Sequence, residues 1–142
     1  MSEDYIENVV KSLENEKNEN IMQLTNSKIK NDKNNILQQL QLERTKLKTF
    51  HDKLKNYRYV DEISDMQFGH YIRWIPLKNP EDVKLTNGGH ICDIKILNEG
   101  VHIVCRNGYN RFMQINLDEN LVFQKLTNQE KIILKTIDYL NK

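Results

Sequence analysis

The stretch from Gly88 to Gly108, GGHICDIKILNEGVHIVCRNG, decides the fold. Apolar residues alternate on either side of an Asn98-Glu99-Gly100 break, which is the pattern of a β-hairpin. Cys92, Ile94 and Ile96 share one face of the first strand, and Val101, Ile103 and Cys105 share one face of the second. The two faces coincide only if the loop holds two or four residues, because a slip of one residue turns every side chain over. The two-residue register also sets Asp93 opposite Arg106 as an oppositely charged cross-strand pair, so it is the expected one. A lone hairpin is marginal in water, so neighbouring strands or a helix must cover its apolar face.

Strands are legible on both sides. Gly69 to Leu77 (GHYIRWIPL) is rich in β-branched and aromatic residues and closes at Pro76. Arg111 to Leu117 (RFMQINL) alternates, and Leu121 to Leu126 (LVFQKL) follows a polar turn. Five short strands joined by turns predict an antiparallel sheet that curls to hide its edges, a small SH3-like or Tudor-like barrel, with an OB-like barrel as the alternative. Thr127 and Glu130 form a capping box that opens a helix over residues 128–141, placed to plug one end of the barrel.

The first 60 residues differ in composition, containing neither Gly nor Pro. From Ile29 onward a heptad runs through Ile29, Ile36, Phe50 and Tyr57 at one core position and Leu40, Leu47 and Leu54 at the other, interrupted by Lys33 and Glu43. This predicts an α+β protein, with a helical arm over residues 1–60, a coiled coil from about residue 29, and a barrel domain over 61–142. The seam either packs on the chain's own domain or pairs with a partner helix, and the length of the arm favours self-association or docking. Residues 14–20 carry no apolar side chain, so a break is expected there.

The net charge of +1 argues against a generally basic nucleic-acid binder, yet the charge is polarised. Residues 1–20 carry six acids against Lys11 and Lys17, whereas residues 28–58 carry nine Lys or Arg against Asp32, Glu43 and Asp52. Lys46, Lys48, Lys53, Lys55 and Arg58, together with Arg73, Arg106 and Arg111 of the barrel, are therefore candidate nucleic-acid contacts. Charges beside a heptad seam are also what its solvated faces require.

No chemistry-bearing motif emerges. His90, Cys92 and Cys105 lack the fourth ligand and the C-x-x-C spacing of a structural zinc site, and thiols among Ile and Val are unreactive. A Cys92–Cys105 disulfide is sterically reachable in one hairpin register, but two cysteines without an export signal point to a reducing compartment, the cytoplasm or nucleus. Phosphate-binding loops and nucleophile elbows are missing, so no enzymatic activity, cofactor or metal is expected, and no run is apolar enough for a membrane span. Tyr71, Trp74, Tyr109 and Phe112 could form the aromatic cage of a peptide or methyl-lysine reader, although a single Trp is usually needed for packing.

At GHYIRWIPL, NGGHICDI and LVFQKLTNQEKIILKTIDYL, over residues 57–140, the chain resembles uncharacterised small proteins of nucleocytoplasmic large DNA viruses. The resemblance implies a viral, virion-associated protein and transfers no functional residue. The expected function is a non-enzymatic structural or interaction protein, a homo-oligomer or docking partner through its arm that presents a barrel to another protein. Nucleic-acid binding through the basic half of the arm and the barrel arginines is the alternative.

Overall fold

The computed structural model describes residues 3–15, 18 and 20–141. Among them are four α-helices, α1 (Glu3–Glu14), α2 (Asn26–Gln38), α3 (Arg44–Lys53) and α4 (Asn128–Leu140). Six strands accompany them: β1 (Tyr57–Val60), β2 (Tyr71–Pro76), β3 (Gly89–Leu97), β4 (Gly100–Arg106), β5 (Phe112–Asn116) and β6 (Asn120–Lys125). The strands form one antiparallel sheet in the order β1-β6-β2-β3-β4-β5. The expected α+β class and C-terminal helix are present. Against the five strands expected, a sixth, β1, adds to the edge of β6, and β1 and β5 are separate ends of an open sheet.

The central hairpin has a two-residue loop, Asn98-Glu99, with Leu97 opposite Gly100 and Ile94 opposite Ile103; this register is offset by two residues from the expected one, so Asp93 lies opposite Val104 and the expected Asp93–Arg106 pair does not form. A bulge between Ile91 and Asp93 changes what lies below it. Ile91, not Cys92, faces Cys105, and Arg106 faces His90. Cys92 is turned outward and exposed while Cys105 is buried, and both thiols are free. At the entry to β3, Gly88 takes a φ of +84°, and a Cβ there would run into the carbonyl of Ile72. That close approach explains why the Asn-Gly-Gly turn needs glycine.

The inner face of the curled sheet buries Val60, Ile72, Trp74, Ile91, Ile103, Cys105 and Val122, with Met66 reaching in from the segment after β1. The outer face is covered on one half only. There Leu37 of α2, Phe50 of α3 and Leu54 bury against Tyr57, Ile75, Leu121 and Phe123. A third cluster joins Ile133 and Leu134 of α4 to Ile21 and Ile29, so α4 packs on the N-terminal helical segments and does not plug the sheet.

Over the expected seam from residue 29 the continuous helix is therefore replaced by two short ones, α2 and α3. Residues 39–43 reverse the chain, with Gln41 in the left-handed region at φ +52° and Gln41 N–H donating to the Gln38 carbonyl at 3.2 Å. Reversal lets Leu37, Phe50 and Leu54 all reach the sheet, and burying each such side chain stabilises by about 1.5–3 kcal/mol. β1, from the end of the expected arm, pairs with β6 in the same sheet as the strands expected after residue 60. The expected break over residues 14–20 lies partly outside the described residues; α1 ends at Glu14.

Candidate nucleic-acid interface

The seam residues are used internally. Ile29, Phe50, Leu54 and Tyr57 are buried, and Ile36, Leu40 and Leu47 are half-buried against the same outer-face cluster. The two positions that interrupt the heptad mark what the structure does instead. Glu43 starts α3 after the reversal, and Lys33 is buried with its ammonium donating to the carbonyls of Leu54 at 2.8 Å and Tyr57 at 2.9 Å. Lys33 thus ties α2 to the turn between α3 and β1, and burial together with Lys30 holds its pKa below the ordinary lysine range. His51 is lowered mainly by burial, with Lys33 adding to it.

The candidate cations separate into used and free. Arg58 is only 4% exposed, with Nη2 donating to the Asp65 carbonyl at 3.0 Å and Nη1 lying 3.8 Å from its carboxylate, so it is spent within the fold. Arg73 is half-buried on the outer face and donates Nε–H to the Thr86 carbonyl at 2.8 Å. Lys46 lies 5.9 Å from the centroid of the Phe50 ring. Lys48, Lys53, Lys55, Arg106 and Arg111 are exposed.

Register brings residues of the sheet together. Tyr71 of β2 faces His90 of β3, His90 faces Arg106 of β4, and Arg106 faces Phe112 of β5. Strand alternation puts all four on the outer face, in one row that starts at Tyr71, half-buried against the helix-covered cluster, and runs out across the uncovered half. The Tyr71 and His90 rings meet edge to face with centroids 5.0 Å apart, and the Tyr71 hydroxyl donates to the Asn87 carbonyl. Phe112 is 68% exposed, and Tyr109, in the turn between β4 and β5, is 86% exposed. Beyond Tyr71 a cleft of about 300 Å³ is lined by His70, His90, Lys125 and the start of α4. Trp74 faces the inner side at 4% exposure, so it shares no cage with Tyr71.

A larger cleft, about 550 Å³, lies between α2 and the segment after β1, but its rim carries Asp32, Asp61, Glu62 and Asp65. Such a rim repels phosphate. Cys105 is pushed up to about 12 by burial, which leaves its thiol protonated and inert. Among the described residues no group of three His, Cys, Asp or Glu could hold a metal ion, and no helix is long and apolar enough to cross a membrane.

Sequence reasoning singled out Tyr71, Arg106 and Phe112 but missed His90 and Lys125 as their neighbours. Only the cross-strand pairing, bulge included, reveals that they share a row. Compared with protein-family models, curated proteins and solved structures, the chain matches none.

Proposed function

We propose that the protein is a non-catalytic binding module whose strands β2 to β6 make an SH3-like barrel, and that the uncovered outer face of this barrel binds single-stranded nucleic acid. The barrel reading is supported by the order β6-β2-β3-β4-β5 and by the 3-10 turn at Leu117–Glu119 before the last strand. The binding reading is carried by one observation, the row of Tyr71, His90, Arg106 and Phe112 across four strands. Aromatic faces stack on bases of any sequence while cations meet the backbone, and both types stand side by side in this row. Lys125 at one end and Arg111 at the other extend the cationic character. The basic residues of α3 lie outside this row and play no part in the reading.

Fluorescence anisotropy with a labelled oligonucleotide of mixed sequence tests it. Three phosphate contacts, from Lys125, Arg106 and Arg111, give log K against log salt a slope of about −2. Arg106→Ala should reduce that slope by about 0.7. Phe112→Ala should weaken binding by about 1–3 kcal/mol with the slope unchanged. Binding that is absent at low salt, or insensitive to both substitutions, rules the reading out.

A further inference from the structure

The two edges of the sheet are treated differently. At one edge α2 packs alongside β1. At the other, among the described residues, β5 has β4 as its only strand neighbour. Pairing in the β4–β5 hairpin fixes which groups face the free side. Asn107 N–H donates to the Arg111 carbonyl at 3.0 Å, so in an antiparallel ladder the backbone groups of Met113 and Ile115 point to β4. Those of Phe112, Gln114 and Asn116 therefore point outward.

We infer that this edge pairs with β5 of a second copy of the chain, antiparallel about a two-fold axis at Gln114. In that register Gln114 faces its own counterpart and Phe112 faces Asn116 of the second copy, which closes six backbone hydrogen bonds. The Asn116 carbonyl already accepts from the Asn120 side chain at 2.8 Å, and its second lone pair serves the new bond. Met113 comes opposite Ile115 of the second copy. Both are half-buried at the rim of the inner-face cluster, so the pairing continues that cluster across the axis. From Phe112 to Leu117 there is no charge to oppose itself, and Arg111 at one end approaches exposed Asp118 at the other. A second copy is thus complementary in hydrogen bonds, apolar contact and charge, and a free edge of this kind is a template for pairing.

One strand pair makes a small interface, so association with Kd of about 10 µM is expected. Sedimentation equilibrium of the full chain at about 100 µM should then give close to twice the 16.9 kDa chain mass. Gln114→Pro removes an outward N–H together with the Gln114 Nε2–His102 Nδ1 hydrogen bond of 3.0 Å and places a proline on an edge strand, where it is tolerated, and should weaken association at least about tenfold. In a Cys92→Ser background, Gln114→Cys should cross-link to dimer under mild oxidation, because directly opposed residues bring Cα atoms about 5.5 Å apart. Lys95→Cys, on the same face of β3, should not. A monomeric wild type, or a dimer in which Gln114→Cys fails to cross-link, overturns the inference. The cross-link decides the matter even if Gln114→Pro does not fold.

Discussion

The outer face of the sheet has two halves built from similar material and put to different ends. On β1, β6 and β2 the outward residues include Tyr57, Phe123, Leu121 and Ile75, and α2, α3 and Leu54 bury them. On β3, β4 and β5 the outward residues include His90, Arg106, Phe112 and Gln114, all exposed. The difference lies in which strands carry apolar side chains on both faces. Where both faces are apolar a second layer is required, and where one face is mixed the strand is left to solvent. The helical segment acts as that second layer, so a pattern resembling a coiled-coil seam is satisfied within one chain.

The contrast is broken most sharply on the covered half. Leu54→Ala should destabilise by about 2–5 kcal/mol in urea unfolding, since the side chain is fully buried and its cavity cannot collapse against a sheet. Lys33→Ala should cost about 1–3 kcal/mol by stripping the carbonyls of Leu54 and Tyr57 of their donor.

Alkaline pH probes the inner face. Cys105 titrates at about 12 in the fold against an ordinary value of 9.0, so between these values the folded state holds a proton that the unfolded chain has released. Its contribution is complete below pH 9 and drains as pH rises toward 12. Lys33, with its lowered pKa, acts in the opposite sense, the fold gaining stability as pH rises toward 10.5. The measurement is therefore a difference: wild type should lose about 1–3 kcal/mol relative to Cys105→Val between pH 8 and 11. The smallest effect belongs to the uncovered half, where Phe112→Ala should change stability by less than about 0.5 kcal/mol. A large loss there would mean that the exposed row is structural.

How far the fold could be read differs by region. The hairpin loop, the strands after residue 70 and the capping box at Thr127 follow from alternation and turn chemistry, which act over a few residues; the capping box is complete in both directions, at 2.9 and 3.1 Å. The reversal at residues 39–43 was hidden because Gln41 enters the left-handed region without glycine or asparagine to announce it. β1 was hidden because Tyr57 falls at heptad spacing. The hairpin register moves Arg106 away from Asp93, and the bulge at Cys92, which leaves no mark in the alternation, carries it one residue further, to His90. The exposed row was therefore half legible: the residue types could be named, and their adjacency could not.

Local chemistry written in the chain determined that there would be a twisted antiparallel sheet, where most of its turns fall, and where the last helix begins, because alternation, glycine and capping side chains act on their near neighbours. Only the tertiary structure decided that the N-terminal helices fold back to roof one half of the sheet and leave the other open. An apolar stripe specifies that it must be buried but not against what, and the answer depended on surfaces brought close from strands distant in sequence.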